Sequence, residues 1–171
     1  ASLEEYTDPI PGVIPTLEKL RAEGLKIGST TGYTREMMDV VLPAALAKGY
    51  CVDYCATPNL LPAGRPAPYM IFENMIKLGV PCLDTVVKVG DTIADIKEGV
   101  NAKVWSVGVI LGSNEMGLTE EETDNLTADE LEDRMVEVRN RMLEAGASYV
   151  IRNIEELPAL IQTINLKMNT L

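Results

Sequence analysis

The chain has 171 residues, 46% of them apolar, which is enough for one sizeable core and sets a single domain over 1–171 as the default. Its formal charge of −11 speaks against nucleic acid or anionic lipid held through a general basic field, so an anionic ligand needs a metal ion, a helix N-terminus or one well-placed arginine. No apolar run reaches the roughly 18 residues of a membrane span and no charged-then-apolar leader is visible, although the chain starts at Ala1 rather than Met. Three cysteines, Cys51, Cys55 and Cys82, with no CxxC pair and no histidine to complete a zinc site, predict reduced, buried thiols in a cytoplasmic protein.

Helix and strand patterns alternate almost throughout, the mark of an α/β fold with a parallel sheet flanked by helices. Gly12 to Glu23 reads as an amphipathic helix with Val13, Leu17 and Leu20 on one face and Gly24 as its stop. A strand over Leu25 to Ser29 follows, then the turn Thr30-Thr31-Gly32. Thr34 caps a helix reaching Lys48, with Pro43 as an expected kink. A short strand at Cys51 to Cys55 leads into a proline-rich loop, Thr57 to Pro66.

Pro68 suits the first turn of a helix from Ala67 to Leu78, and Thr85 to Val89 is a β-branched strand. A short helix over Thr92 to Gly99 precedes a strand at Lys103 to Val109, in which Trp105 is expected in the core. The acidic run that begins at Thr119 precedes a helix reaching about Ala145, with most of its charges on solvated helix faces. A strand at Tyr149 to Ile151 and a helix from Ile154 to Leu166 complete the chain. No repeat, linker or low-complexity segment divides it.

In an open parallel sheet the ligand site lies beyond the carboxyl ends of the strands. Three segments fall there. Gly90-Asp91-Thr92-Ile93-Ala94-Asp95 follows a strand, and the spacing of Asp91 and Asp95 puts both carboxylates on one helical face. Two hard oxygen ligands at a strand tip suit Mg²⁺, while capping of a helix by two acids explains the spacing equally well. Thr31-Gly32 offers a hydroxyl and backbone N–H groups at a helix N-terminus, a cradle for a phosphoryl group or an ordinary turn. Arg65, between Gly64 and Pro66, presents a planar fork suited to phosphate or phosphonate, or a plain surface cation.

The order of these segments, Thr-Gly after a strand, a cation before a helix, then Gly-Asp-x-x-x-Asp, resembles the haloacid dehalogenase superfamily. Gly28-Ser29-Thr30-Thr31-Gly32-Tyr33-Thr34, Pro62-Ala63-Gly64-Arg65-Pro66-Ala67-Pro68, Val87 to Gly99 and Val107 to Ser113 narrow the likeness to its phosphonoacetaldehyde hydrolase branch. The resemblance implies a three-layer Rossmann-like core, a Mg²⁺ cofactor and a homodimer. The reaction it implies is carbon–phosphorus cleavage, with an aspartate nucleophile at phosphorus and a lysine Schiff base on the aldehyde, giving acetaldehyde and phosphate. Carried over, Thr31 and Gly32 hold the phosphoryl group, Arg65 its oxygens and Asp91 the metal, with Asp95 in the shell behind it.

The nucleophile of that family sits in an Asp-x-Asp type segment after an N-terminal strand, ahead of a helical cap. No two aspartates here are spaced two apart. The chain opens into what resembles the cap-to-core return, Tyr6 to Gly12, and neither Lys26, Lys48, Lys77 nor Lys88 matches the Schiff-base lysine. The expectation is a partial core domain that lacks the first strand and the cap and is inactive on its own. Two other readings stand beside it: a phosphatase of small phosphorylated metabolites, and a non-catalytic α/β remnant.

Overall fold

Residues 8–170 are described by the structure, a computed structural model. They form two compact units, one taking the residues up to Gly64 together with Tyr69–Pro81, the other Arg65–Pro68 together with the residues from Cys82 onward. Tyr6 and Thr7, the start of the expected cap-to-core return, lie outside the described residues.

The first unit begins where Gly12, at φ +85°, turns the chain into α1 (Val13–Ala22). The helix buries Leu20 and Thr16, whose hydroxyl donates to the Gly12 carbonyl at 2.7 Å and so needs no outside partner. β1 is Gly28–Thr30, later than the Leu25 to Ser29 expected. A strand starts where a partner supplies the ladder, and β1 pairs in parallel with β2 (Tyr54–Ala56) only from Gly28↔Tyr54 to Thr30↔Ala56. Ahead of that register the Ile27 amide donates instead to the Asp53 carboxylate at 2.6 Å. The same effect shortens the strand expected from Cys51.

Between them runs α2 (Arg35–Ala47), capped by the Thr34 side chain, which accepts from the Met37 amide. The helix continues through Pro43 and buries Met38 and Ala45. α3 (Tyr69–Leu78) packs on both strands and buries Met70, Ile71 and Asn74. A Cβ on Gly28 would stand 2.2 Å from the Asn74 side-chain oxygen, so the bare glycine lets helix and strand approach. Asn74 uses that closeness to donate to the Ser29 carbonyl at 2.9 Å.

The second unit is built on a parallel sheet of β3 (Val87–Gly90), β4 (Trp105–Val109) and β5 (Tyr149–Ile151), in that order. α4 (Ile93–Ala102) connects β3 to β4 and reaches three residues past the expected stop at Gly99. Gly99 serves packing rather than termination: a Cβ there would meet the Ser106 hydroxyl at 2.8 Å. The helix ends at Lys103, in the left-handed region at φ +62°, which delays the strand expected from that residue.

The acidic run forms α5 (Glu120–Asp124) and the first turns of α6 (Ala128–Glu144), the helix expected to reach Ala145. Each starts with its own capping box, Thr119 with Glu122 and Thr127 with Glu130, and the second box starts the longer helix. Met135, Val138 and Met142 of α6 close a core with Ile96, Ile110, Met116 and Val150. α7 (Leu157–Asn169) follows β5.

Helices on parallel strands are the expected α/β arrangement, with the strands in two sheets, β1–β2 and β3–β4–β5. Trp105 is half-buried instead of core: its indole N–H donates to the Asp84 carbonyl at 2.9 Å and its ring lies 6.2 Å from Tyr149. The three thiols are free, but only Cys55, inside β2, is buried; Cys51 and Cys82 precede regular elements on exposed backbone. Among the described residues no helix is long and apolar enough to cross a membrane.

Candidate active site

In the first unit, Thr31 follows β1 directly, and its amide donates to the Ala56 carbonyl at 3.2 Å, prolonging the pairing with β2 by one bond. Its hydroxyl accepts from the Tyr33 amide at 3.1 Å, which folds Gly32 and Tyr33 into a tight turn ahead of the Thr34 cap. Thr31 is half-buried and Gly32 exposed. A hydroxyl and amides at the entrance to a 13-residue helix have the chemistry to receive an anion. Met70 is fully buried in α3 and Tyr33 is exposed, so Met70 lies within the packing of the unit.

In the second unit, β3 runs into Asp91, and Thr92 caps α4. Asp95 stands third in the helix and completes a capping box. Its Oδ2 accepts from the Thr92 amide at 3.3 Å and the Thr92 hydroxyl at 2.8 Å, while the Thr92 oxygen accepts from the Asp95 amide at 3.1 Å. The other carboxylate oxygen, Oδ1, accepts from the Arg65 guanidinium and lies 3.3 Å from the Lys88 ammonium. Lys88 also reaches Glu98, at 3.2 Å.

Arg65 and Asp95 are therefore together, 30 residues apart in sequence. Asp91 sits before the cap, outside α4, so the shared helical face expected from the four-residue spacing does not relate it to Asp95. Its Oδ2 accepts from the Asn114 amide at 3.3 Å. Lys88 and Glu98 were not among the residues expected at the site. Lys88 stands two before Gly90, on the same face of β3, and Glu98 stands one helical turn after Asp95.

Burial raises the Asp95 carboxyl's pKa, but the Lys88 and Arg65 cations and the Thr92 hydroxyl more than offset it, leaving the value below the ordinary 3.8. Asp95 is thus an anion with every acceptor direction turned toward a donor. Asp91 makes one modest hydrogen bond among the described residues and retains lone pairs for a cation. The described residues hold no cluster of three or more His, Cys, Asp or Glu side chains that could cage a metal. A single carboxylate with water and phosphate oxygens is a normal setting for Mg²⁺, and Asp91 offers such a carboxylate.

A family model for haloacid dehalogenase-like hydrolases matches residues 1–103, more than half of the chain, and the chain belongs to that family. It is 84% identical over 169 residues to a phosphonoacetaldehyde hydrolase of Bacteroides fragilis, covering 99% of this chain and 64% of that protein. It is 53% identical to the phosphonoacetaldehyde hydrolase of Bacillus cytotoxicus, covering 95% of this chain and 61% of the relative. Among solved structures, a phosphonoacetaldehyde hydrolase-like protein from Oleispira antarctica superposes with a TM-score of 0.91 at 34% identity, over 96% of this chain and 60% of its own. The chain thus spans less than two thirds of the length of these relatives.

Proposed function

We propose that this chain forms part of a Mg²⁺-dependent phosphonoacetaldehyde hydrolase that cleaves the carbon–phosphorus bond to give acetaldehyde and phosphate. The observation that carries the reading is the Arg65–Asp95 pair, with Asp95 four residues after Asp91 in the segment that follows β3, in a chain 84% identical to a protein of that name. Arg65 is held by one of its nitrogens, and the rest of its fork can orient the oxygens of a phosphonate. Asp95 fixes the fork and keeps its own charge. Thr31 and Gly32 contribute the hydroxyl and amides that would orient a phosphoryl oxygen.

Bound through Asp91, Mg²⁺ would supply charge neutralisation at the phosphoryl oxygens. The aspartate nucleophile and the Schiff-base lysine belong, in this reading, to the third of the relatives' length that the chain does not match. The same reading makes the two units parts of one core domain, the full protein a homodimer, and its setting cytoplasmic, in keeping with three free thiols.

The test is phosphate release from phosphonoacetaldehyde by the full-length protein with Mg²⁺, with borohydride present to trap an aldehyde adduct on lysine. Release with trapping supports the reading. Release from phosphate monoesters without trapping replaces it by a phosphatase. The 171-residue chain alone is expected to release no phosphate above background.

A further inference from the structure

Four charged groups meet in the second unit, and only the pairing of Arg65 with Asp95 is absorbed by the proposed site. The other two, Lys88 and Glu98, are deeply placed. The Lys88 side chain is 11% exposed, Glu98 0%, Asp95 5% and Arg65 25%. Glu98 is the most deeply buried member and Arg65 the most exposed, so the network meets solvent chiefly at the guanidinium.

Two glycines make room for it. A Cβ at Gly90 would come 2.2 Å from the Asp95 Cβ, and one at Gly99 would come 3.1 Å from the Lys88 Cβ. Apolar side chains in the same space would carry no desolvation penalty, and buried ion pairs of this sort are seldom kept for stability alone. Two cations and two anions balance, so no member can be removed without leaving a buried charge uncompensated.

We infer that Lys88 is a positioning residue of the phosphoryl site: anchored by Glu98, it fixes Asp95 Oδ1 and through that oxygen sets where the Arg65 fork points. Lys88 touches no substrate. It shares the Asp95 Oδ1 with Arg65, so without Lys88 that oxygen is held by Arg65 alone and the guanidinium loses one side of its fixed seat. This rests on the reading of Arg65 as the group that receives the phosphoryl oxygens.

The experiment uses the full-length protein with Lys88→Met, Lys88→Arg and Arg65→Lys, singly and with Lys88→Met combined with Arg65→Lys. Two readouts are taken: calorimetric titration with inorganic phosphate at saturating Mg²⁺, and kcat and KM for phosphate release from phosphonoacetaldehyde. Lys88→Met is expected to weaken phosphate binding and kcat/KM roughly 10- to 100-fold, with Lys88→Arg restoring most of it. The double variant should lose little beyond Arg65→Lys alone, because both act through one contact.

A folded Lys88→Met protein within about twofold of the parent in both readouts overturns the inference, as do losses that multiply independently with Arg65→Lys. Should Lys88→Met not fold, Glu98→Gln takes its place, and an unchanged phosphate affinity there overturns it as well. A parent that binds phosphate but spares phosphonoacetaldehyde refutes the proposed reaction only, and the phosphate titration still decides the role of Lys88. A parent that binds no phosphate sinks both.

Discussion

Gly90 and Asp95 are so close that a Cβ on Gly90 would lie 2.2 Å from the Asp95 Cβ and 2.6 Å from its carboxyl carbon. Real side chains do not tolerate such contacts, and Asp95 is not a flexible chain end that could swing aside, because both of its oxygens are engaged. Gly90→Ala is expected to destabilise the chain by about 1–3 kcal/mol through overpacking. Urea denaturation of the 171-residue chain followed by far-ultraviolet circular dichroism checks it. A midpoint equal to that of the parent would mean that α4 can slide off β3 at no cost.

Asp95 also gives stability a pH dependence whose sign can be worked out. Its folded pKa lies below the ordinary 3.8, so its contribution is present above that value and is lost as the pH falls through the lower, folded one. At about pH 7, Asp95→Asn leaves two cations facing a neutral amide and should cost about 3 kcal/mol. The difference between parent and variant should shrink as the pH drops below 3.8. Comparing the two proteins cancels the other carboxylates, and a gap that stayed constant into acid would remove the anion from the explanation.

Met142 tests the core rather than the site. Its side chain is fully buried among Ile96, Met135, Val138 and Val150, and a Cβ on Gly108 would stand 2.5 Å from its sulfur. Met142→Ala opens a void that its β4 and α4 neighbours can only partly fill. A loss of about 2–5 kcal/mol at unchanged urea m-value is expected.

Features that depend on nearby residues could be read from the sequence. The Thr34 cap of α2 and the strand Tyr149–Ile151 are where the local pattern put them. Strand bounds at β1 and β2 were misplaced because a ladder begins where its partner does, and Asp53 takes the Ile27 amide just before that point. The start of α6 was left open because acidic composition is continuous across Leu126, whereas the second threonine box fixes it. At the site, Arg65, Asp91 and Asp95 were legible as a motif. Lys88 and Glu98 were not, since what joins them is the packing of α4 on β3, although the strand and helix spacings of two and three residues carried the signal.

Asp91 and Asp95 share a motif but are expected to answer differently to the same substitution. Asp91 is half-buried, and its carboxylate accepts one amide hydrogen bond, from Asn114 at 3.3 Å, which an asparagine oxygen can also accept. Asp91→Asn should therefore move the stability of the 171-residue chain by no more than about 0.5 kcal/mol. If Asp91 is the direct ligand, the same variant of the full-length protein should lose at least the roughly 10- to 100-fold in Mg²⁺ affinity that outer partners typically account for, read by calorimetric titration with MgCl₂. Asp95→Asn should show the reverse balance, a large loss of stability and a smaller loss of Mg²⁺ affinity, because its oxygens face Arg65, Lys88 and Thr92. Equal and large losses of Mg²⁺ binding in both variants would make Asp95 a ligand as well and would require its bonds to Arg65 and Lys88 to break when the metal binds. An unchanged Mg²⁺ titration in Asp91→Asn would move the metal away from the end of β3 altogether.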